Sequence, residues 1–377
     1  MFVVFAANGA LNGSWTPRVP ALAARVAAGP GVLGLALLAM TAGMLLVAPL
    51  AGRLAERFGA RAVVVTSTLV SCAILPLLGL AGSVLALGVL LFGLGLSLGT
   101  MEVAMNVGGV AVERRAGRPL LSLLHAGYSV GGFAGSAAAG LAAGHHWPPS
   151  RHLAVVAAVA TVVLLAVCRG VPAGAAPADR PERPRVALVK QPVLWLLGGI
   201  VVFAAIAEGA SADWSALLLV TRHGAGEGVA ALAYTAFSLA MAVSRFGGSW
   251  AQRRFGAIRL LVTGALVAGT GLALAALVPS AGVALAGFVL AGAGLSTSFP
   301  VALSLAGSAG HGGGEREVAF VSTIAYGGFL AGPPLVGGIA QATSLSVSFV
   351  VVGLLAALIA PAAVSARRRE PQAASAQ

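Results

Sequence analysis

Long apolar runs recur along the whole chain and are separated by short polar or Gly/Pro-rich breaks. Each run is close to the roughly 20 residues that cross a bilayer as a helix. The pattern predicts twelve spanning helices, near residues 1–17, 33–51, 62–81, 84–112, 120–143, 152–168, 192–212, 230–250, 258–278, 281–305, 318–341 and 346–364. No basic segment precedes the first run, so we interpret it as a span rather than a signal sequence. A true start codon upstream of Met1 is the alternative that this pattern leaves open.

The overall composition is typical of a chain that faces lipid. Hydrophobic residues make up 58% and charged residues only 9% of the 377 residues. A soluble domain carries about 25% charged residues, and so few charges cannot solvate the surface of a soluble domain of this size. We therefore expect an all-α membrane protein.

Basic residues are concentrated in alternate loops, which predicts the orientation. Lys and Arg are retained in the cytoplasm during insertion. We therefore expect a protein of the bacterial cytoplasmic membrane with both termini on the cytoplasmic side. The opposite loops hold only Arg18, Arg25, Arg151 and Arg222. Topology thus explains the net charge of +12 without a nucleic-acid partner. The basic loop set comprises Arg53, Arg57, Arg61, Arg114, Arg115, Arg118, Arg169, Arg180, Arg183, Arg185, Lys190, Arg253, Arg254, Arg259, Arg316, Arg367, Arg368 and Arg369.

One long hydrophilic segment lies near the middle of the chain and is rich in Pro, Ala and Arg, a composition typical of an extended linker. It separates six predicted spans from six. We expect an N-terminal six-helix bundle at 1–169, a cytoplasmic linker at 170–190, a C-terminal six-helix bundle at 191–366 and a cytoplasmic tail at 367–377.

Three short motifs recur in equivalent spans of the two halves. Residues 57–60 (Arg-Phe-Gly-Ala) return at 254–257, and residues 131–133 (Gly-Gly-Phe) return at 327–329. Gly93, Gly95, Leu96 and Ser97 return as Gly292, Gly294, Leu295 and Ser296. The three offsets, of 197, 196 and 199 residues, indicate a duplicated six-helix unit. Parallel repeats of this kind are a transporter architecture, with the solute site between the halves near the bilayer midplane.

The loop between spans 2 and 3, residues 52–61, reads Gly-Arg-Leu-Ala-Glu-Arg-Phe-Gly-Ala-Arg. It resembles the loop signature of the major facilitator superfamily, Gly-x-Leu-Ala-Asp-Arg-x-Gly-x-Arg, with Glu56 in place of Asp. The resemblance implies two pseudo-symmetric six-helix bundles and secondary active transport by alternating access. Such a loop biases the conformational equilibrium through contacts of its acid and arginines. The residues concerned are Gly52, Glu56, Arg57, Gly59 and Arg61.

Three further segments resemble fucose-permease-type and related uncharacterised bacterial permeases. They are Asn8-Gly9 with residues 18–20 (Arg-Val-Pro), residues 102–106 (Glu-Val-Ala-Met-Asn), and Glu208-Gly209 with residues 212–214 (Ala-Asp-Trp). This likeness implies a sugar-like solute. Drug antiporters of the superfamily carry Gly-x-x-x-Gly-Pro in span 5, but this chain has Ser136 where that Pro belongs.

Polar residues inside the predicted spans are the candidate transport residues, because charges in hydrocarbon are costly and functional. Glu102 lies 11 residues before Glu113, or about 16 Å along a helix, near the midplane. We expect it to exchange a proton during transport, with Asn106 on the same face. The alternative is a neutral Glu that is hydrogen-bonded to a neighbouring helix.

The other candidates share helix faces or lie near the outer mouth. Asn8, Asn12 and Trp15 form one stripe of span 1, which suits either solute lining or interhelical hydrogen bonds. His125 and Tyr128 share a face of span 5, as a proton relay or a structural hydrogen bond. Glu208 is expected near the outer mouth, as a gate or solute contact.

Several function classes lack the motifs that they need. The two cysteines, Cys72 and Cys168, are isolated, and no metal-ligand spacing, Walker loop or nucleophile triad occurs. We therefore expect no enzyme activity and no cofactor. The chain is expected to be a monomeric transporter of a small solute, with protons as a candidate coupling ion. The alternatives are a drug or metabolite efflux antiporter and a membrane sensor that keeps the transporter fold.

Overall fold

The computed structural model describes residues 1–116, 120–173, 188–309 and 315–374, and the regular structure in them is entirely helical. The all-α expectation is confirmed. Three short 3-10 turns occur at Thr16–Arg18, Cys168–Gly170 and Leu188–Lys190. The α-helices are α1 (Phe2–Trp15), α2 (Val19–Arg25), α3 (Pro30–Phe58), α4 (Ala60–Leu78), α5 (Val84–Ala116), α6 (Leu121–Gly144), α7 (Pro149–Val167), α8 (Pro192–His223), α9 (Glu227–Phe255), α10 (Ala257–Leu277), α11 (Ala281–Leu295), α12 (Ser298–Ser308), α13 (Glu315–Ala342), α14 (Leu345–Ala357) and α15 (Ile359–Ala374).

Ten stretches of the described helices are long and apolar enough to cross a membrane, which confirms a multi-pass membrane protein. The helices α1 and α6 are not among them. With 14 residues, α1 spans only about 21 Å, less than the roughly 30 Å hydrocarbon core. The count of twelve spans therefore stays a prediction.

The chain divides into two compact units. Unit 1 comprises Met1–Arg180 and Asp213–Thr235, and unit 2 comprises Pro181–Ala212 and Ala236–Gln377. In unit 1, α1 packs along α6 and α3 along α5, whereas in unit 2 α10 packs against α11 and α14. The predicted bundles 1–169 and 191–366 stay expectations. Most of the predicted linker 170–190, at 174–187, lies outside the described residues, as do residues 375–377 of the predicted tail.

Glycines allow α1 and α6 to cross at backbone contact. A Cβ built on Gly9 of α1 would lie 1.9 Å from the carbonyl oxygen of Tyr128. One built on Gly131 of α6 would lie 1.8 Å from the carbonyl oxygen of Ala6. Small residues at such crossings are typical of membrane helices, where association depends on close packing rather than on hydrophobic burial.

The internal repeat is visible in the packing of each unit and corrects one predicted equivalence. A Cβ on Gly95 would lie 2.0 Å from the carbonyl oxygen of Met40, and one on Gly292 would lie 2.2 Å from that of Phe237. Both residues of the second contact lie 197 positions after those of the first. Gly292 is therefore equivalent to Gly95 and not to Gly93, so the sequence match with an offset of 199 was displaced by two residues.

The predicted span 281–305 is broken between α11 and α12, and the break has a local cause. Pro300 lacks the N–H group that would donate to the carbonyl oxygen of Ser296 in a continuous helix. The Nε of Arg245, on α9, donates to that carbonyl oxygen instead, at 3.2 Å. Arg245 thus satisfies the acceptor that Pro300 leaves without a donor.

Candidate functional site

Two asparagines of α1 form the first part of a polar cluster inside unit 1. Asn8 is buried, and its Nδ2 donates to the sulfur of Met105 on α5 at 3.4 Å. The Nδ2 of Asn12 donates to the Oδ1 of Asn8 at 3.1 Å. The predicted shared face of Asn8 and Asn12 is therefore present, and it is tied to α5.

The second part of the cluster joins α5 to α6. The Nδ2 of Asn106 donates to the backbone oxygen of Glu102 at 2.8 Å, and the Nε2 of His125 lies 3.1 Å from the Oδ1 of Asn106. The His125 ring also packs edge-to-face against Phe5 of α1, with ring centroids 5.2 Å apart. Residues of α1, α5 and α6 thus meet in one region, which we name the polar cluster: Asn8, Asn12, Glu102, Asn106 and His125.

The Glu102 side chain is exposed at the surface of unit 1. It lies 14 residues before the last residue of α5, Ala116, or about 21 Å along the helix. No hydrogen bond or ion pair reaches its carboxyl group from the described part of the chain. The alternative of a Glu that is hydrogen-bonded to a neighbouring helix is therefore not seen.

The remaining candidates, Trp15, Tyr128 and Glu208, differ in their burial and position. Trp15 is buried, and its indole nitrogen has no hydrogen-bond partner among the described residues. Tyr128 is half-buried, with its backbone carbonyl against Gly9. Glu208 is half-buried in α8 and belongs to unit 2.

A second acid of α8 lies in the interior of that helix. Asp213 is half-buried and precedes the end of α8, at His223, by ten residues. A residue inside a continuous helix cannot cap its end, so Asp213 is not a helix cap. No described side chain binds its carboxyl group.

Arg61, in the first turn of α4, binds the chain at the end of α7. The Nε of Arg61 donates to the oxygen of Val171 and its Nη2 to the oxygen of Arg169, both at 2.8 Å. The backbone N–H of Arg61 donates to Pro172 at 3.2 Å. This anchoring role of Arg61 had no counterpart in the expected acid–arginine contacts.

Only Gly59 lies between α3 and α4, and the other residues expected in this loop, Gly52, Glu56 and Arg57, lie in the last turns of α3. Gly59 has a φ of 82° and lies against the carbonyl of Ala173. Glu56 is exposed and makes no ion pair within the described residues, while Arg57 lies over the ring of Phe58 at 5.3 Å. A Cβ on Gly52 would meet no atom within 4 Å.

Replacing Gly59 by Ala is expected to destabilise the protein. The new Cβ would lie 1.9 Å from the carbonyl oxygen of Ala173, and such overpacking costs on the order of 1–3 kcal/mol. Gly256→Ala is the matched control, because Gly256 has a φ of 85° but no atom near its Cβ. Thermal unfolding of the purified variants should show a lower midpoint for Gly59→Ala than for Gly256→Ala. Equal midpoints would mean that only the positive φ matters.

At the opposite helix ends of unit 1, the structure buries Arg18, which sequence reasoning had counted as a loop residue. Arg18 is 2% exposed, and its Nη2 donates to the oxygen of Trp147 at 2.6 Å. The same nitrogen lies 3.8 Å from Glu227. Burial lowers the pKa of the Arg18 guanidinium, and the Glu227 carboxylate acts in the opposite direction. A Pro on each side of Arg18 was the available signal for a turn that points it inward.

Small residues join α6 to the start of α9 next to this arginine. Ser136 and Thr235 are buried, and their hydroxyl oxygens lie 2.5 Å apart. About two turns further along, a Cβ on Gly228 would lie 2.9 Å from Gly144. The residue that replaces the antiporter Pro, Ser136, thus makes a direct contact with the second half of the chain.

Comparison with known sequences identifies relatives over nearly the full length. A sequence model described as Major Facilitator Superfamily matches residues 1–308 and 209–377. An uncharacterised MFS-type transporter of Yersinia pestis is 32% identical over 358 residues, which cover 94% of this chain and 92% of the relative. The membrane protein MosC of Rhizobium meliloti is 29% identical over 364 residues, covering 96% and 88%.

Solved structures share the fold. A mutant of the nucleoside transporter NupG superposes with a TM-score of 0.83 at 10% identity and covers 97% of this chain and 98% of its own. An inward-facing, occupied bacterial homologue of the human lysosomal transporter Spinster superposes with a TM-score of 0.80 at 16% identity, covering 97% and 95%. At these identities the likeness concerns the fold alone.

Proposed function

The chain belongs to the major facilitator superfamily, and we propose that this membrane transporter moves a small polar solute by alternating access. The loops rich in Arg at the Gly59 end of unit 1 support a cytoplasmic location for that end, because basic loops stay inside during insertion. Both termini then lie in the cytoplasm, and the membrane is the bacterial cytoplasmic membrane.

The polar cluster is the observation that carries the proposal. Its amide and imidazole groups lie on three helices among apolar neighbours, where unbound polar groups are costly. Asn8, Asn106 and His125 offer both donors and acceptors, which suit the hydroxyl groups of a sugar-like solute. A pocket with a few convergent polar groups is the usual form of a small-molecule site.

The nature of the solute is proposed from the same groups. Sugars are proposed because of the likeness to fucose-permease-type proteins. Nucleosides are proposed because NupG, which shares the fold, is a nucleoside transporter. Both classes present hydroxyl groups without a fixed charge. A drug efflux antiporter is the alternative function, but Ser136 replaces the Pro of the antiporter pattern.

Transport by the purified protein in liposomes tests the proposal. We expect at least one labelled sugar or nucleoside to exchange across the membrane. Asn106→Ala should lower that exchange by roughly tenfold or more, because loss of one hydrogen-bonding partner costs about 1–3 kcal/mol. Ser71→Ala is the control, since Ser71 is a buried hydroxyl of α4 that bonds Ser97 outside the polar cluster.

Two results would contradict the proposal. Solute binding without any flux would indicate a sensor that keeps the fold. Equal losses in Asn106→Ala and Ser71→Ala would mean that the polar cluster has no special part in transport.

A further inference from the structure

A cavity of about 520 Å³ lies beside Arg18 in unit 1 and is separate from the polar cluster. Its size falls within the roughly 300–1,000 Å³ range of small-molecule sites. Ala143, Pro148, Pro149 and Val229 make much of its wall apolar. The polar groups at the wall include Arg18, His146 and Glu227.

Local backbone structure directs Arg18 towards this cavity. Pro20 has no N–H to donate to the carbonyl of Thr16, so α1 cannot continue through this position. On the other side, His146 has a φ of 56°, and the N–H of Trp147 closes the end of α6 on Ala142. This turn brings the Trp147 carbonyl to the guanidinium.

Neighbouring groups balance the positive charge and the hydrogen-bond donors of the Arg18 guanidinium only in part. Within the described part of the chain, its Nε and Nη1 have no hydrogen-bond partner, and its one ion pair is the 3.8 Å approach to Glu227, which is 45% exposed. His152 interacts electrostatically with Arg18, and both of its buried ring nitrogens lack a hydrogen-bond partner in the described structure. A buried charge with unused donors is costly unless another group completes it.

We propose that the Arg18 cavity binds the carboxylate of a small organic acid. Arg binds carboxylates through paired hydrogen bonds in its own plane, and the apolar wall accommodates a short hydrocarbon body. Glu227 partly neutralises the arginine, which disfavours dianions such as phosphate more than a single carboxylate. All residues that line this cavity belong to unit 1, and the proposed site is independent of the solute proposed for the polar cluster.

Thermal unfolding of the full-length purified protein with sodium propionate tests the proposal. Propionamide is the neutral isostere, and sodium chloride at equal concentration controls for ionic strength. A ligand that binds only the folded state raises the unfolding midpoint, and the rise grows with the logarithm of ligand concentration above the Kd. We expect a rise with propionate, little with chloride and none with propionamide.

Two variants assign the effect to the cavity. Arg18→Gln should abolish the propionate effect, whereas Arg25→Gln, which removes a charge on α2 outside the cavity, should keep it. Glu227→Gln should shift the midpoint curve to roughly tenfold lower propionate, because a competing carboxylate is removed. Since Glu227 is exposed, this variant remains informative if Arg18→Gln fails to fold.

Three results would overturn the proposal. Equal stabilisation by propionamide would show that the site does not recognise the negative charge of the carboxylate. Equal stabilisation by chloride would indicate a site for inorganic anions rather than carboxylates. An unchanged or weaker response of Glu227→Gln would place the propionate elsewhere.

Discussion

Glu102→Gln is expected to abolish solute accumulation driven by a pH gradient, while solute exchange across the membrane continues. A symporter needs a group that binds a proton in one conformation and releases it in the other. The exposed carboxyl group of Glu102 lies mid-way along α5 beside Asn106, and charge at such a depth is costly. Gln keeps the shape and hydrogen bonding of the side chain but cannot titrate. Counterflow and gradient-driven uptake in the same liposomes measure the two activities separately.

Asp213→Asn is the matched comparison for this prediction. Asp213 is another acid in a helix interior that no described side chain binds, so it tests whether a different acid carries the proton. Uphill uptake that survives Glu102→Gln and fails in Asp213→Asn would move the coupling site to α8. Loss of both exchange and uptake in Glu102→Gln would indicate solute binding or folding instead.

Helices and repeats were predictable from the sequence because their signals are local or periodic. Apolar runs located nearly all the long helices, and the Arg-Phe-Gly-Ala motif marked two turns with nearly equal φ at Gly59 and Gly256. The helix break at Ser296 was also predictable from the sequence, since Pro300 lacks one backbone hydrogen-bond donor. Run length alone could not show that α1 has only 14 residues.

The polar cluster was predictable in part. Asn8 and Asn12, like Glu102 and Asn106, are four residues apart on one helix, so helical spacing alone puts them on a common face. The contact of His125 with Asn106 joins different helices, and a single sequence has no signal for it. Arg18 was misassigned because a basic residue after an apolar run is typical of a solvated loop, whereas its burial depends on Trp147, 129 positions away.

A disulfide between Ser136→Cys and Thr235→Cys is expected to stop transport. The two hydroxyl oxygens are 2.5 Å apart, which brings the Cβ atoms close to the roughly 3.5–4.5 Å separation that a disulfide requires. Ser136 lies on α6 in the first half of the chain and Thr235 on α9 in the second. Alternating access requires the halves to separate at this end, and a covalent bond prevents that separation. Oxidation should therefore abolish exchange, and reduction should restore it.

The control places the same chemistry where no separation is expected. Ser71→Cys with Ser97→Cys joins α4 to α5 within the first half, at a hydroxyl distance of 2.8 Å. Both pairs are made in a Cys168→Ser background, because Cys168 is half-exposed, whereas Cys72 is buried. We expect oxidised protein with the Ser71 and Ser97 substitutions to transport normally. Normal exchange by the fully oxidised variant with both Ser136→Cys and Thr235→Cys would show that α6 and α9 stay together during transport. A covalent bond does not affect transport at a contact that never opens.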